Sequence, residues 1–399
     1  SGRLDQPDGG ADRSHLLGHH VEGVGSAERD VLDRLLPRSN AFDVVAEEVA
    51  AVRSAVGLIE TTGFASYEIT GPGARAWLDG LLTNHLPPPG RLVLTPMLNQ
   101  NGTLIGDFTV ACIQDHADIA ERFMIFGSGP AEEYHLRWFH DHLPADGSVA
   151  IRSFGPDLCG LAIAGPRAQD LLAAISDGNP ADQAADPRSL SFLDFRTLDI
   201  GMHRCLVGRI SYTGDLGYEL WMPATDQAQV FDRILAAGEE FGLRLFGARA
   251  LDSMRLEKGF GAWATEFRPI YTPDQAGLGW AVRTTKSFVG RDAVVAEREA
   301  GIGRRLAFFT LDEDAEDVAA KGPADAIGDE PIRHGDRVVG WITSGGYAHH
   351  SGASMAVGYV ETSVPDEELR FTVEVFGVQR RATRLTEPLF DPKGDRMRA

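Results

Sequence analysis

The chain has 399 residues and a mass of 43.1 kDa, which is enough for two or three domains with separate cores. Its hydrophobic content of 43% and charged content of 24% are ordinary for a globular protein, and no apolar run approaches the roughly 18 residues that cross a bilayer. The formal charge of −20 would repel nucleic acid and anionic membrane surfaces, so neither is expected as the main partner.

The chain has three cysteines that lie far apart and form no CxxC pair: Cys112, Cys159 and Cys205. An odd number of isolated cysteines is typical of a reducing compartment. The histidine clusters at 140–142 and 349–350 have no Cys or His neighbours at metal-ligand spacing, so no metal site is expected. Because the N-terminal region also lacks an apolar signal core, we predict a cytoplasmic protein.

The first secondary structure is predicted after a polar N-terminal extension. Residues 1–40 are rich in Gly, Asp and His and are expected to be poorly ordered, with one short helix at Ala27–Leu36. Glu47–Gly57 has the pattern of an amphipathic helix that ends at Gly57. The segment from Gly57 to Ile69 then predicts strands.

A short internal repeat is the next feature of the chain. The segment Ile69–Leu78 (ITGPGARAWL) returns as Ile163–Leu172 (IAGPRAQDLL). Each copy predicts a strand end, a glycine turn and a proline at the first position of a helix. Two such units indicate duplicated α+β halves. A dinucleotide-binding fold is not expected, because the Gly-Pro-Gly of the first copy lacks the third glycine.

The C-terminal half is predicted to change from helices to short strands. Helices are expected at Asp226–Phe241 and Ala248–Lys258. After residue 304, short β segments alternate with turns at regular spacing: Leu306–Leu311, Arg337–Ser344, Met355–Tyr359, Leu369–Val375 and Arg381–Leu385. This spacing predicts a small barrel or sandwich, with the acidic stretch Asp312–Glu330 as an exposed loop.

Two segments carry carboxylates in unusual surroundings. Ser211–Leu220 (SYTGDLGYEL) places Glu219 on a strand that leaves a tight glycine turn. Taken by itself, this pattern also fits a plain hairpin with a solvated glutamate. Asp107 lies inside the apolar strand segment Met97–Val110. A carboxylate there must be paired, protonated or functional, unless it faces solvent at the edge of a sheet.

A third segment, Phe246–Gly259 (FGARALDSMRLEKG), continues to Trp263 and Glu266. Together with Ser211–Leu220 it resembles the folate-binding core of the aminomethyltransferase family, the family of the glycine-cleavage T-protein. Within that family the two segments most resemble the folate-binding halves of dimethylglycine and sarcosine dehydrogenases. The resemblance extends from about residue 41 to residue 390.

The resemblance implies an α+β fold, the aminomethyltransferase fold, with a duplicated α+β folate-binding domain followed by a C-terminal β-barrel. The expected limits are 1–40 for the N-terminal extension, 41–300 for the two-lobed folate-binding domain and 301–391 for the barrel. It also implies tetrahydrofolate as the cofactor, bound in a channel that the three lobes enclose.

The resemblance assigns roles to five residues. Glu219 would accept the adjacent exocyclic amine and ring N–H of the pterin, since a carboxylate matches such a donor pair. Tyr212 would line the ring pocket, and Trp263 would lie against the folate. Arg255 would either hold a carboxylate of the folate tail or brace the pterin-binding acid. Asp107 would be catalytic, moving a proton near the reactive nitrogens with a pKa that desolvation raises.

Weaker matches and departures complete the predicted site. Phe126, in the segment Phe126–Gly129, resembles a folate-contacting segment of the dehydrogenase-type domains, and Leu94 stands where many relatives carry a folate-contacting tyrosine. The family often has two aspartates near the catalytic position, whereas this chain has Gly106 before Asp107. The segment Pro388–Asp391 also lacks the arginine that the family often has just after that proline. Leu94 and this segment leave the pterin stacking and the contacts of the glutamate tail open.

The implied function is a tetrahydrofolate-dependent one-carbon transferase. It would accept a methylene or methyl unit from an N-methyl amine or its iminium and give 5,10-methylenetetrahydrofolate. The chain has no glycine-rich flavin fingerprint, so a separate FAD-dependent amine oxidase is expected as a partner, unless this is the folate half of such an enzyme. One alternative is a direct O-, S- or N-methyl demethylase producing 5-methyltetrahydrofolate. A second is a folate-binding accessory protein without catalysis. The methyl donor and the oligomeric state cannot be read from the sequence.

Overall fold

The computed structural model describes residues 41–113, 122–177, 186–313 and 324–399. The predicted disorder of residues 1–40 and the short helix at Ala27–Leu36 lie outside the described residues. Helices occupy the following ranges: α1 (Phe42–Ser54), α2 (Ala74–Leu81), α3 (Glu132–Asp141), α4 (Ala168–Ile175), α5 (Gln227–Gly238), α6 (Ala248–Lys258), α7 (Arg291–Ala300) and α8 (Asp395–Arg398).

The strands fall into two sheets and a barrel. Their bounds are β1 (Val56–Glu60), β2 (Ala65–Thr70), β3 (Arg91–Leu98), β4 (Leu104–Ile113), β5 (Arg122–Gly127), β6 (Ala150–Ser153), β7 (Leu158–Ala164), β8 (Phe195–Ile200), β9 (His203–Gly208), β10 (Gly217–Pro223), β11 (Leu243–Leu245), β12 (Arg304–Leu311), β13 (Pro331–His334), β14 (Arg337–Ala348), β15 (Ala353–Glu361), β16 (Arg370–Val375) and β17 (Val378–Arg384).

The first sheet has the order β11-β1-β7-β10-β9-β8, and the second has the order β3-β4-β5-β2-β6. All neighbouring strands are antiparallel except β1 and β11. One face of each sheet packs on helices. On β10 the inward residues are Tyr218, Leu220 and Met222, and on β4 they include Phe108 and Val110. Side chains alternate along a strand, so the remaining residues point to the opposite faces.

Those opposite faces meet in an apolar layer between the two sheets. We call it the inter-sheet layer, and its buried members are Leu92, Ala111, Ile113, Met124, Phe126, Leu158, Phe195 and Trp221. At its centre Phe126 of β5 stacks on Trp221 of β10, with ring centroids 4.0 Å apart and planes inclined by 15°. The two sheets therefore turn facing surfaces toward each other.

The repeat appears as two strand–turn–helix units, β2–α2 and β7–α4. Gly71 and Gly165 have φ angles of 113° and 132°. A Cβ would lie 2.3 Å from the Ser148 carbonyl oxygen in the first copy and 2.5 Å from that of Ala55 in the second, so each turn requires glycine. The helices begin two residues after the prolines, which was not predicted: each proline lies in the turn and not at the first helical position.

The barrel prediction is confirmed over its sandwich alternative. Six strands close in the order β12-β15-β14-β13-β16-β17. Strand β13 was missed, because it directly follows the stretch that the sequence marks as a loop. That loop is not wholly exposed, since Ala326 is fully buried in the barrel core; residues 314–323 of it lie outside the described ranges. The predicted bounds of α6 are confirmed.

The first helix was placed wrongly by the sequence pattern. It spans Phe42–Ser54, and Gly57 does not end it but lies within β1. A Cβ at Gly57 would be 2.4 Å from a methyl carbon of Val52. The glycine therefore serves the close packing of β1 against α1, which a sequence pattern cannot distinguish from a helix stop.

A buried charge cluster joins α1, the turn before β10 and α6. The Arg53 guanidinium donates to Asp215 at 2.6 Å and to Glu257 at 2.8 Å, and these side chains are at most 3% exposed. Arg396 approaches the other Asp215 oxygen at 2.8 Å. Glu257 also accepts the backbone N–H groups of residues 350 and 351, in the loop after β14. The cluster thus connects α1 and α6, which pack beside the first sheet, to the barrel.

We expect Glu257→Ala to lower the free energy of unfolding by about 3–5 kcal/mol, because it removes one of the two carboxylates that pair with buried Arg53 and leaves two backbone N–H groups without their acceptor. Urea denaturation followed by tryptophan fluorescence measures this loss. Glu47→Ala is the control, since Glu47 pairs with Arg244 at the surface and its side chain is 61% exposed. That substitution should cost less than about 1 kcal/mol. Equal losses in the two variants would contradict a structural role for the cluster.

Candidate active site

The segment 259–267, which follows α6, connects the two sheets and the barrel. The hydroxyl of Tyr212 donates to the Gly261 carbonyl oxygen at 2.7 Å, which fixes the segment to the first sheet. The Trp263 indole N–H donates to the Ile105 carbonyl oxygen on β4 at 2.9 Å. Near the C-terminal end of the segment, Glu266 accepts hydrogen bonds from the hydroxyls of Thr343 and Ser344 on the barrel strand β14. Residues that are distant in sequence are thereby brought to one place.

Asp107 lies on β4, opposite Pro96 of the edge strand β3. Its side chain is half-buried, and no salt bridge joins it to a cation among the described residues. Burial raises the pKa of its carboxyl to about 7, with a smaller opposing effect from its own backbone N–H and an added rise from the charge of Glu266. The predicted catalytic acid is therefore balanced between its two protonation states near neutral pH.

Glu219 lies on β10 between Ala162 of β7 and Gly208 of β9. It is half-buried, and within the described ranges it has neither a hydrogen-bond donor nor an ion pair. Burial alone raises the pKa of its carboxyl to about 7. An ionised carboxylate in such surroundings lacks the donors that would compensate it for lost water.

Strand alternation places Asp107 and Glu219 on the two faces that meet at the inter-sheet layer. Glu219 shares its face of β10 with Trp221. Asp107 shares its face of β4 with Thr109, which is directly opposite Phe126 in the sheet. The charge of Asp107 also adds to the raised pKa of Tyr212, which lies in the loop that leads into β10.

Tyr212 lies in the loop between β9 and β10 of the first sheet. Its ring lies parallel to that of Phe260, with centroids 5.9 Å apart and planes inclined by 14°. Burial raises the pKa of its hydroxyl; Arg255 opposes this rise, and Asp107 and Glu266 add to it. Tyr212 is therefore a neutral donor, already committed to the Gly261 carbonyl.

Arg255 is directed into the protein. Its guanidinium is 4% exposed and donates to Asp252 at 2.7 Å, to Glu266 at 3.0 Å and to the Ser344 hydroxyl at 3.0 Å. Burial alone would raise the pKa of Glu266, but Arg255 and the neighbouring hydroxyls of Thr343, Thr265 and Ser344 hold it below its ordinary value. Neither Asp252 nor Glu266 is the predicted pterin-binding acid, Glu219, so both predicted roles of Arg255 stay predictions.

The remaining predicted contact residues occupy different settings. Trp263 is half-buried and lies next to the strand that carries Asp107. Leu94 is half-buried on β3 and packs against a cluster that includes Leu98, Leu104 and Phe267. Phe126 is 7% exposed and stacked on Trp221. The structure thus brings Trp263 and Tyr212 to the Asp107 region, while ligand contacts by Leu94 and Phe126 stay predictions.

One residue of this region had not been singled out from the sequence. His135 of α3 is fully buried and forms a hydrogen bond to the same Ile105 carbonyl that Trp263 contacts. The signal was present, since a histidine occupies a position of α3 that faces the core. Its partner lies 30 residues away, however, and no motif connects the two.

Within the described ranges, no group of three or more His, Cys, Asp or Glu side chains could hold a metal ion. Over the same residues, no helix is both long and apolar enough to cross a membrane.

The protein combines two facing sheets with a closed barrel, and two half-buried carboxylates lie on the sheet faces that meet. Residues 19–286 match the model of the GCVT N-terminal domain, and residues 304–391 match the glycine cleavage T-protein C-terminal barrel domain. The chain therefore belongs to the glycine-cleavage T-protein family, a family of folate-dependent one-carbon transferases.

Curated relatives and a solved structure agree with this assignment. Dimethylglycine dehydrogenase from Rattus norvegicus is 33% identical over 355 residues, which are 88% of this chain but 39% of the relative. An aminomethyltransferase from Desulforamulus reducens is 29% identical over 353 residues, covering 88% of this chain and 90% of the relative. The aminomethyltransferase T of Bartonella henselae has the same fold: the TM-score is 0.73 at 21% identity, over 87% of this chain and 90% of that one.

Proposed function

We propose that the chain transfers one-carbon units to tetrahydrofolate, accepting a methylene (or methyl) unit from an N-methyl amine or its iminium and giving 5,10-methylenetetrahydrofolate. The observation that carries this proposal is a pair of half-buried carboxylates, Asp107 and Glu219, on facing sheets and without ion-pair partners in the described residues. Because burial raises both pKa values to about 7, each acid is ready for a ligand that supplies donors or exchanges a proton.

Glu219 fits the pterin. The exocyclic amine and the neighbouring ring N–H form a donor pair that a carboxylate accepts in a bidentate manner. Such a pair would compensate Glu219 for the water that it has lost, and binding would lower the pKa of its carboxyl. Tyr212 and Trp263 add aromatic rings to this region, and both hold their own polar atoms in hydrogen bonds to backbone carbonyls.

Asp107 fits the proton transfer. Bound tetrahydrofolate supplies the nucleophilic nitrogen that accepts the one-carbon unit. Asp107, ionised in about half of the molecules at pH 7, takes the proton that this nitrogen loses and returns it to the departing amine. The charge of Glu266 keeps the carboxyl of Asp107 from becoming too weak a base, while Arg255 keeps Glu266 itself ionised.

The one-carbon donor and the enzyme that oxidises it are further proposals, which depend on the proposed transfer to tetrahydrofolate. The rat relative is named a dimethylglycine dehydrogenase and is longer than the matched region. We therefore infer an N-methyl amine as the donor, with an FAD-dependent amine oxidase, either separate or part of a longer polypeptide, supplying the iminium. The cytoplasm stays the proposed location, although this relative is mitochondrial.

Calorimetric titration with (6S)-tetrahydrofolate tests the proposal. We expect a Kd of about 1–10 μM, which corresponds to a binding free energy of about −7 to −8 kcal/mol. Product analysis by mass spectrometry, with dimethylglycine and an added amine oxidase, then separates methylene- from methyl-tetrahydrofolate. Formation of 5-methyltetrahydrofolate without the oxidase would support direct demethylation. If the protein does not bind tetrahydrofolate, the fold has been kept without the folate role.

A further inference from the structure

The strand that carries Asp107 contains a β-bulge next to it. In the pairing of β3 with β4, Met97 is opposite Gly106, but the next residue, Leu98, is opposite Leu104. Ile105 is therefore an extra residue on β4, with no counterpart on β3. A bulge turns the following side chains in a new direction, and bulges are frequent beside active sites. Asp107 is the second residue after this one.

Two buried side chains converge on the carbonyl oxygen of the bulged residue. His135 contacts the Ile105 oxygen through Nε2 at 3.0 Å, and Trp263 donates to it through Nε1 at 2.9 Å. Because a carbonyl oxygen can only accept, His135 carries its proton on Nε2. The oxygen has two lone pairs, so the two donors together satisfy it. We call this pair of donors the Ile105 clamp.

The surroundings of the clamp leave it little freedom. The His135 ring packs edge-on against Phe108 at 4.7 Å and against Trp263 at 5.6 Å between centroids. A Cβ at Gly106 would lie 2.6 Å from the Phe108 ring and 2.8 Å from His135 Nε2, so a side chain there would displace the clamp. This close approach explains why glycine, and not a second aspartate, precedes Asp107 in this chain.

Burying a histidine in the core costs free energy, because its polar ring atoms lose their water. Burial lowers the pKa of His135 to about 4, against a smaller opposing effect of the Ile105 carbonyl, so the ring is neutral near pH 7. Its Nδ1 is buried and has no hydrogen-bond partner among the described residues. A phenylalanine would fill the same space without this unpaired atom, and among the described residues the one hydrogen bond of His135 is to Ile105.

We propose that His135 is a positioning residue: with Trp263 it holds the bulge at Ile105 and thereby sets the direction in which Asp107 points. This inference rests on the proposed function of Asp107 as the residue that moves the proton. A displacement of about 1 Å at a reacting group is enough to cost about a hundredfold in rate. His135 affects the rate through this bulge, without touching the ligand itself.

The test compares His135→Phe, which keeps the ring and removes the donor, with His135→Gln, whose amide can still donate. Phe139→Leu is the matched control, because Phe139 is one turn further on α3, is equally buried and has no polar atom that could donate to the Ile105 carbonyl. We expect His135→Phe to lower kcat about 10–100-fold with KM for tetrahydrofolate within about threefold, His135→Gln to recover part of the loss, and Phe139→Leu to keep kcat.

A readout that does not need activity is the titration of the Asp107 carboxyl, followed by ¹³C NMR on protein labelled at aspartate and assigned with Asp107→Asn. Besides burial and its own backbone N–H, the group that shifts the pKa of this carboxyl is Glu266, which His135→Phe leaves in place. We expect the pKa of Asp107 to fall from about 7 toward its ordinary range as the loosened carboxylate gains water.

The outcomes separate the two proposals. If kcat and the Asp107 titration of His135→Phe both equal those of the unmodified protein, the proposed positioning role of His135 is wrong. It is also wrong if Phe139→Leu loses as much kcat and His135→Gln recovers nothing, since the effect is then general core damage. If the unmodified protein neither binds tetrahydrofolate nor transfers one-carbon units, the proposed function fails, and the NMR titration still decides whether His135 positions Asp107.

Discussion

Replacement of Asp107 by asparagine is expected to lower one-carbon transfer by about 10²–10⁴-fold, the range that a positioned general acid–base contributes. Asparagine has nearly the same size and can keep the local hydrogen bonds, but it cannot take up a proton. Affinity for tetrahydrofolate should stay within about threefold, because pterin recognition is assigned to Glu219. Single-turnover transfer assays and calorimetric titrations measure the two effects separately.

The role of Asp107 as a base also predicts how the transfer rate changes with pH. If Asp107 acts as a base, kcat at saturating tetrahydrofolate, where the pterin already holds Glu219 ionised, should rise with pH through about 7, the pKa to which burial raises the Asp107 carboxyl. The asparagine variant should lose that inflection. Asp199→Asn is the control, since Asp199 is an exposed residue of β8, 63% accessible and 3.7 Å from Arg204. Transfer that survives in Asp107→Asn with an unchanged pH profile would remove Asp107 from the mechanism.

The sequence predicted those elements whose signals are local. Helix α6 was placed correctly because its pattern runs unbroken from Ala248 to a glycine, Gly259, that ends it in the left-handed conformation. The barrel strands were found because each has alternating residues between turns. Strand β13 was missed, since its four residues follow a long acidic stretch and pair with β14 and β16 only in the closed barrel.

The site could be predicted only in part, for a physical reason. Resemblance named Asp107 and Glu219, but their placement on facing sheets depends on strand order and on the stacking of Phe126 on Trp221. The role of Ile105 could not be foreseen, because a bulge is a property of two strands in register and no single strand shows it. Long-range pairing, not local propensity, decides where these groups meet.

Replacement of Glu219 by glutamine is expected to have opposite effects on binding and on stability. Affinity for tetrahydrofolate should fall about a hundredfold, since hydrogen bonds to a charged group contribute about 1.5–3 kcal/mol and an amide cannot accept both pterin donors. Without ligand, the variant should be more stable than the parent at pH 8 by about 1–2 kcal/mol, a figure reduced for the partial exposure of the side chain. The reason is that Glu219 must ionise in a half-buried place without a donor.

The sign of the stability effect follows from the direction of the pKa shift. Burial raises the pKa of Glu219 from 4.5 to about 7, so between these values the folded protein binds more protons than the unfolded chain. The free energy of unfolding therefore decreases as pH rises through this window, and Glu219→Gln removes that part of the decrease. Urea denaturation at pH 5 and pH 8 should show a gain in the free energy of unfolding at pH 8 that is absent at pH 5.

Glu60→Gln, an exposed change in the same sheet, should alter neither binding nor stability by more than about 0.5 kcal/mol. A Glu219→Gln protein that binds tetrahydrofolate as tightly as the parent would show that the pterin lies elsewhere. A loss of stability at pH 8 would show that Glu219 already has a partner without ligand.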